Sequence, residues 1–374
     1  MSRDRIVSIQ TTGERGGAEY AHVDLLNALV ARGRDVVLLT NMPELAAGTD
    51  VRVRPIDLGP KLASRSALRV TLRAPLSLFR IARALRAERP VLALFAHFKK
   101  EQLLCSLLPR RLTGEIVWAE WGPVPAPLRR GPARMLYALA ARRARCVIAV
   151  SQGTADTVVQ AGVPAEKVLV VPDMVNLHAI AFDAAARERQ RQEWGVGEDT
   201  LVLGCISRLQ RRKRNDVLID AMAHVDGDVL LVISGDGEQE EALRARAAPH
   251  GERVRFAPNA RGHVERFLSG CDALAFAPSP TEADRPRVIV MAQLAGLPVI
   301  ATHPEGAGAV QAAGAGTIAS PHNDPRALAA VIAQYRDDPQ RRRREGQLGH
   351  AALLQTFDPG RTLGEVERAL GLAP

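Results

Sequence analysis

Short apolar segments alternate along the chain with amphipathic segments of helical length. The first of them predict a strand at residues 5–10, a helix at 18–31 and a second strand at 35–40. Strand, helix and strand in that order form a βαβ unit, whose strands are parallel. The same alternation predicts further strands at 51–56, 92–96, 115–119, 147–150 and 168–171, and then at 201–206, 229–233, 254–256, 273–276 and 298–301.

The two series of strands predict two α/β domains. A chain of 374 residues is too long for one ordinary core. A charged, Ala-rich segment at 182–194 separates the two series, so we place the boundary near Asn176. We expect residues 1–176 and 177–357 to form two Rossmann-like, doubly wound domains that face a cleft. We also expect a C-terminal helix at about 358–374 to pack back on the first domain.

Composition is that of a globular protein without a membrane span. Hydrophobic residues make up 47% and charged residues 24%, and no apolar run reaches the roughly 18 residues that a spanning helix needs. The first residues show no signal-peptide pattern, and the four cysteines lack the paired spacing of a metal site. We therefore expect a cytoplasmic protein whose cysteines are buried core thiols.

Positive charge is concentrated in the first half of the chain. Residues 1–175 hold 26 Lys and Arg against 15 Asp and Glu, whereas the remainder holds 24 against 26. Such a surface favours an anionic membrane or an acidic substrate. Nucleic acid is disfavoured as a partner, because aromatic residues make up only 4% and none interleaves with the basic runs.

A predicted helix at residues 66–89 carries much of this charge. Two interpretations stay open: a surface helix with solvated arginines, or contact with an anionic membrane or a lipid-linked acceptor. The second would place the protein peripherally at the inner membrane face. The residues behind both interpretations are Arg65, Arg69, Arg73, Arg80, Arg83 and Arg86, with Leu68, Leu72, Leu76, Phe79 and Ile81 as the apolar positions.

Three loops that follow predicted strands are candidates for phosphate binding. Gly16 and Gly17 precede the first helix, whose N-terminal N–H groups suit an anion. Arg208 and Lys213 share a loop before a helix N-terminus, where the helix dipole disfavours cations unless a polyanion is bound. Gly235 lies in a third loop, for which a plain turn is the alternative.

The stretch from Pro278 to Thr302 is a further candidate. An acidic loop with Glu282 and Asp284 leads into an apolar helix from about Val288, and a buried strand follows. Because a helix N-terminus combines unpaired N–H groups with a positive dipole end, this stretch predicts a site for a phosphorylated ligand.

Two residues at the ends of strands of the first domain are further candidates for a functional site. His97 would line the cleft, with a structural histidine as the alternative. Glu120 would act as a base toward a hydroxyl group, with an ion pair to an arginine as the alternative. The Asp226-Gly227-Asp228 segment imitates a metal-binding motif, but it precedes a strand. We interpret it as a turn and expect no metal.

The order and spacing of these motifs resemble those of the retaining nucleotide-sugar glycosyltransferases with the GT-B fold, family four (group 1). The resemblance runs nearly end to end, through ERGGAEYAHVDLLNALVARGRDVVLLT, VIAVSQGTADTVVQAGVPAEKVLVVPD, ISRLQRRK, ISGDGEQEEALRARA and AGLPVIAT. It implies a sugar-binding role for Glu282 or Asp284. It also implies donor-phosphate contacts from Gly16, Gly17, Arg208 and Lys213 and from the backbone at Arg287, Val288 and Ile289. Gly235 would let the backbone approach the nucleotide of the donor.

The resemblance implies a reaction as well as a fold. A sugar would pass from a nucleoside-diphosphate donor to an acceptor hydroxyl with retention of anomeric configuration, in glycan, glycolipid or glycosylated natural-product biosynthesis. Arg208 and Lys213 would stabilise the leaving diphosphate, and no metal cofactor would be required. The acceptor would be a small molecule or an anionic, lipid-linked compound bound by the basic first half. The four residues predicted to be catalytic are Arg208, Lys213, Glu282 and Glu120.

Two departures from the family pattern leave alternatives open. Met291 takes the place of the second glutamate of the donor loop, which in the family binds the ribose hydroxyls. Trp121 takes the place of a histidine near the sugar, so we assign it with His97 to the acceptor side. One alternative is a glycosyltransferase-like protein that binds a partner enzyme and no longer catalyses. A nucleotide-sugar epimerase is disfavoured, because no strong acid/base pair is visible.

Overall fold

The structure is a computed structural model that describes residues 5–13, 16–62, 66–171, 180–260, 263–277, 286–304, 307–356 and 358–372. It divides into two compact units. Unit 1 comprises Met1–Met174 together with Asp358–Pro374, and unit 2 comprises Val175–Phe357. No helix among the described residues is long and apolar enough to cross a membrane.

Unit 1 is built on a parallel sheet of seven strands in the order β3-β2-β1-β4-β5-β6-β7. The strands are β1 (Arg5–Gln10), β2 (Val36–Thr40), β3 (Arg52–Pro55), β4 (Val91–Ala96), β5 (Glu115–Glu120), β6 (Ala144–Ala149) and β7 (Val168–Val170). Its first helices are α1 (Gly17–Ala31), α2 (Ala67–Ala87), α3 (Lys99–Ser106), α4 (Arg110–Thr113), α5 (Gly131–Ala141) and α6 (Gln152–Gln160).

Unit 2 is built on a parallel sheet of six strands in the order β10-β9-β8-β11-β12-β13. The strands are β8 (Leu201–Ile206), β9 (Val229–Ser234), β10 (Val254–Ala257), β11 (Ala273–Phe276), β12 (Val299–Ala301) and β13 (Gly316–Ile318). The helices are α7 (Ala184–Glu193), α8 (Asn215–Ala221), α9 (Glu240–Ala247), α10 (Val264–Ser269), α11 (Arg287–Leu294), α12 (Gly308–Ala312), α13 (Pro325–Asp337) and α14 (Pro339–Thr356).

The last helix, α15 (Pro359–Leu370), packs on unit 1 against α1, β5 and β6. Leu363, Val366 and Leu370 join the apolar layer between α1 and the sheet. Glu367 is buried beside them and accepts from Arg32 at 2.9 Å and from Arg34 at 2.8 Å. A buried carboxylate needs such partners, because an unpaired charge in the core costs several kcal/mol.

Helices cover both faces of the unit 1 sheet. On one face α1 and α15 pack through Leu25, Leu26 and Leu363. On the other face α2, α3 and α5 pack against the strands, and α3 contacts both α2 and α5. The side chains that α2 and α5 bury there are few, namely Ser77, Ile81 and Leu85 of α2 and Tyr137 and Ala141 of α5.

The strand β13 is absent from the sequence-based prediction. It has only three residues, which is too short for an alternating pattern to stand out. Its first residue is Gly316, and a Cβ there would overlap the carbonyl oxygen of Val299 on β12. The residue that permits this pairing is therefore one that sequence patterns associate with turns.

Candidate functional site

The loops after β8 and β9 in unit 2 are joined by main-chain hydrogen bonds. Leu209 N donates to Asp236 O at 2.8 Å, and Ser207 N donates to Ser234 O at 3.1 Å. Gly235 lies between these contacts, and a Cβ on it would overlap the carbonyl oxygen of Ser207. Packing of the protein's own loops thus already requires this glycine. A phosphate contact at Gly235 stays a prediction.

Arg208 and Lys213 both lie in the loop that connects β8 to α8, and both are half-buried. Lys213 ends a short 3-10 turn, and Arg214 then adopts a left-handed conformation (φ 46°) before α8 begins. Main-chain hydrogen bonding to the loop after β9 fixes the first part of this segment. The two predicted phosphate-binding cations therefore sit together at the carboxyl edge of the sheet.

The helix α11 begins at the same edge, because β11 and β8 are neighbours in the sheet. It starts at Arg287 after Pro286, and no side chain caps it among the described residues. The amide of Ile289 donates to Pro286 O at 2.9 Å. Glu282 and Asp284 lie outside the described residues.

Met291 lies on α11, where its half-buried side chain packs against the apolar cluster of unit 2. The thioether therefore has an apolar environment on at least one side. A methionine cannot accept the hydrogen bonds that a ribose-binding glutamate would accept.

The two glycines at the start of α1 in unit 1 differ in the space around their Cα atoms. Gly16 N donates to Glu19 Oε2 at 3.0 Å, and a Cβ on Gly16 would lie 2.6 Å from that oxygen. Gly17 is exposed, and a Cβ there would meet nothing within 4 Å. Gly16 is thus tied to the helix cap, whereas the space beside Gly17 is open.

Three aromatic side chains meet at the carboxyl ends of β4 and β5. The ring of His97 lies 4.8 Å from that of His22 on α1 and 6.4 Å from that of Trp121. His22 Nδ1, His97 Nδ1 and Trp121 Nε1 are buried and have no hydrogen-bond partner among the described residues. Buried polar atoms without partners are uncommon in folded proteins, so these three are candidate contacts for a ligand.

Both histidines are held in the neutral state. Burial lowers the pKa of His22 to about 3, and its Nε2 lies 2.6 Å from Ser8 Oγ. Burial also lowers the pKa of His97 well below its usual range, and the positive charges of Lys61 and Lys99 lower it further. His22 was not among the predicted site residues, because its partner Ser8 is an inconspicuous polar residue within an apolar strand.

Glu120 at the end of β5 is buried and already has three partners. Its carboxylate accepts from Tyr137 on α5 at 2.7 Å and from Gln102 on α3 at 2.9 Å, and it is ion-paired with Lys99. The ion pair that the sequence left open as the alternative is thus present, with a lysine in place of an arginine. These contacts favour a structural role, and the role of base stays a prediction.

The Asp226-Gly227-Asp228 segment forms a turn before β9. Gly227 has a positive φ of 79°, and Asp228 accepts a hydrogen bond from Thr200 Oγ1 at 2.6 Å. The turn lies at the amino end of its strand, whereas the candidate residues above lie at carboxyl ends.

Comparison with known proteins identifies the class of this fold. The crystal structure of Anabaena Alr3699/HepE in complex with UDP and glucose matches with a TM-score of 0.80 at 22% identity, covering 99% of this chain and 100% of that one. WaaG, a glycosyltransferase involved in lipopolysaccharide biosynthesis, matches with a TM-score of 0.71 at 18% identity, covering 97% and 98%. The predicted α/β architecture of two parallel sheets is confirmed as the GT-B fold.

The family follows from sequence comparison. The model of the group 1 glycosyl transferases matches residues 186–350, and that of glycosyltransferase family 4 matches residues 15–179. A lipopolysaccharide core biosynthesis glycosyltransferase (LpsE) of Rhizobium meliloti is 27% identical over 92% of this chain and 93% of its own length. The chain belongs to the group 1 glycosyltransferases and is a glycosyltransferase.

A second relative matches a smaller part of the chain. It is a GDP-mannose-dependent mannosyltransferase of Corynebacterium glutamicum that acts on a monoacylated phosphatidylinositol monomannoside. This enzyme is 31% identical over 175 residues, which is 43% of this chain and 44% of its own length.

Replacement of Glu120 separates its two candidate roles. We expect Glu120→Gln to lower the free energy of unfolding by about 3 kcal/mol, because Lys99 then loses its partner in a buried site. Urea unfolding measures this change. If the folded variant, assayed at low temperature, keeps the wild-type kcat, the hypothesis that Glu120 acts as a base is wrong. A kcat lowered at least about a hundredfold would support it.

The buried neutral His22 makes stability depend on pH. The unfolded chain binds a proton at His22 below pH 6.5, whereas the folded chain does so only near pH 3, so stability is lost as the pH falls through this window. Between pH 7.5 and pH 5 the wild type should lose about 2 kcal/mol more than His22→Gln. Urea unfolding of both proteins at the two pH values checks this. Equal losses in both proteins would contradict it.

Proposed function

We propose that this protein transfers a sugar from a nucleoside-diphosphate donor to an acceptor hydroxyl with retention of anomeric configuration. The observation that carries the proposal is the convergence of cations and a helix start at one sheet edge of unit 2. Arg208 and Lys213 follow β8, and α11 starts after the neighbouring strand β11. Solved structures of the same fold support the donor class, since HepE holds UDP and glucose.

Electrostatic stabilisation of the leaving group is the main catalytic effect we propose. The bond between the anomeric carbon and the diphosphate oxygen breaks, and negative charge develops on the diphosphate. Arg208, Lys213 and the N-terminus of α11 stabilise that charge. The acceptor oxygen bonds to the anomeric carbon, and its proton passes to the leaving phosphate. No metal is needed in this scheme.

The remaining donor contacts are assigned by resemblance. Glu282 or Asp284 binds the sugar, and the open space beside Gly17 admits the diphosphate. Met291 leaves the ribose without the usual carboxylate partner. We infer that this chain selects its donor mainly through the sugar and the diphosphate.

The acceptor belongs to unit 1 in this proposal. His97 and Trp121, joined by His22, offer buried nitrogen atoms that can bond sugar hydroxyls. The basic surface of the same unit favours an anionic or lipid-linked acceptor and a peripheral position at the inner membrane face. The names of two relatives support this type of acceptor, since one includes lipopolysaccharide core biosynthesis and the other a phosphatidylinositol mannoside. Glycolipid or glycan synthesis is therefore the proposed setting.

A second candidate function rests on Met291. If its packing against the apolar cluster has replaced ribose binding altogether, the chain no longer catalyses and instead binds a partner enzyme. Transfer by the isolated chain would exclude this candidate. Turnover that appears only when a co-purifying partner is added would support it.

Replacement of Arg208 tests the proposed leaving-group stabilisation. We expect Arg208→Ala to lower kcat/KM about a hundredfold or more, because the charge on the diphosphate loses a direct partner. Arg211→Ala is the matched control, since Arg211 is exposed in the same loop. The assay follows transfer and hydrolysis of UDP-, GDP-, ADP- and dTDP-sugars in EDTA, after thermal shift has identified the nucleotide that binds. An unchanged rate in Arg208→Ala, or no nucleotide that binds, would refute the proposal.

Gly17→Ala tests the donor contact in unit 1. The protein itself has room for the methyl group, and alanine favours a helix over glycine, so Tm should stay the same or rise. The donor KM should nevertheless rise about tenfold, because the methyl group occupies the space proposed for the diphosphate. Steady-state kinetics at varied donor concentration measure the effect. An unchanged KM would remove Gly17 from the site.

A further inference from the structure

Large apolar side chains are exposed mainly on one part of unit 1. Of the twelve exposed large apolar residues among the described part of the chain, eight lie on α2, on α5 or at the end of α3. Scattered single residues of this kind are normal on protein surfaces, but a cluster marks an interaction site. We call these eight residues the apolar face. They are Leu68, Leu72, Leu76, Phe79, Leu107, Met135, Leu136 and Leu139.

The α2 part of the apolar face is a continuous stripe. Its four members are 50–73% exposed and follow one another at spacings of four, four and three residues, which places them on one side of a helix. The opposite side of α2 faces the core through Ser77, Ile81 and Leu85. The helix therefore has two apolar stripes, and only one of them is used by the fold.

The α5 part repeats this arrangement. Met135, Leu136 and Leu139 are 59–71% exposed, while Tyr137 and Ala141 face the core. The helix α3 packs between α2 and α5, and Leu107 at its end is also exposed. Because the three helices cover the same face of the sheet, their exposed side chains belong to one layer.

Positive charge surrounds the apolar face. Residues 58–87 and 121–155 contain no Asp or Glu. Arg69, Arg73 and Arg80 each follow a member of the α2 stripe, and Arg134 precedes the α5 members. Arg80 is also held by a hydrogen bond to the carbonyl oxygen of Asp57 at 2.7 Å, and its side chain remains exposed. Apolar side chains bordered by arginines match the interface of an anionic bilayer, which combines acyl chains with phosphates.

We propose that α2 and α5 together form a docking face for an anionic lipid bilayer. The apolar face enters the boundary between headgroups and acyl chains, and the arginines around it contact lipid phosphates. The proposal extends the membrane contact of the proposed function and rests on that part of it. It adds two points: α5 contributes to membrane binding, and binding requires insertion of apolar side chains in addition to charge attraction.

Vesicle co-sedimentation of the full chain tests the docking face. The vesicles contain equal amounts of phosphatidylcholine and phosphatidylglycerol, or phosphatidylcholine alone. We expect binding to the mixed vesicles to be at least about tenfold tighter than to the neutral ones. The double variants Leu72→Glu/Leu76→Glu and Leu136→Glu/Leu139→Glu should each bind the mixed vesicles at least about tenfold more weakly. All of these side chains are exposed, so folding should be retained, which circular dichroism checks.

The control is Leu354→Glu, a change at a leucine on α14 of unit 2 that is 48% exposed, which should bind like the wild type. Wild-type binding by the α5 double variant would overturn the role of α5, and equal binding to neutral vesicles would overturn the role of charge. A dimer without lipid that the same variants dissociate would show that a second copy covers the face, and would overturn the proposal.

The outcome is separable from that of the proposed function. Thermal shift by nucleotide needs no membrane, and the docking variants should keep the wild-type shift. Vesicle binding without any nucleotide shift would leave the docking face standing and the transferase proposal failed. A nucleotide shift without vesicle binding would leave the transferase proposal standing and would refute the docking face.

Discussion

Parallel pairing of the strands is the constraint on which the rest of this structure depends. Neighbouring strands are parallel in both sheets, so each strand must be reached by a crossover and ends at the same edge as its neighbours. In unit 2 the loops that leave this edge carry Arg208 and Gly235, and in unit 1 the loop after β4 carries His97. Within each unit, residues far apart in sequence thus come to one edge without any contact designed for each pair, and the opposite edge of the unit 2 sheet receives turns such as Asp226-Gly227-Asp228.

Buried polar groups connect the helix α3 of unit 1 to the loop after β3. Lys100 is buried and donates to the carbonyl oxygens of Leu58, Gly59 and Pro60 at 2.8–3.3 Å, which ties the loop after β3 to α3. Burial lowers the pKa of Lys100 and raises that of Glu101, and each charge counteracts the shift of the other because the two groups lie 3.7 Å apart. Such groups are expensive to bury and costly to disturb, so they hold α3 against the loop after β3.

The sequence predicted the parts of this structure that local patterns encode. Alternation of apolar strands and amphipathic helices predicted both sheets, except β13, whose three residues begin with a glycine. The loop that carries Arg208 and Lys213 was found because it directly follows a predicted strand. Glu120 could not be assigned, since its partners on α3 and α5 are a matter of tertiary packing. His22 gave no signal for the same reason.

The candidate acceptor site and the proposed docking face share the same supports. The carboxylate of Glu120 accepts from Gln102 on α3 and from Tyr137 on α5, and Tyr137 lies next to the exposed Leu136 in sequence. The end of β5, where Trp121 follows, is therefore tied through buried hydrogen bonds to the helix whose outer side would meet the bilayer. A link of this kind would hold the proposed acceptor-binding residues at a fixed distance from the proposed lipid surface. An enzyme that acts on a lipid-linked acceptor requires such a distance, because the reacting hydroxyl can reach only as far as its lipid anchor allows.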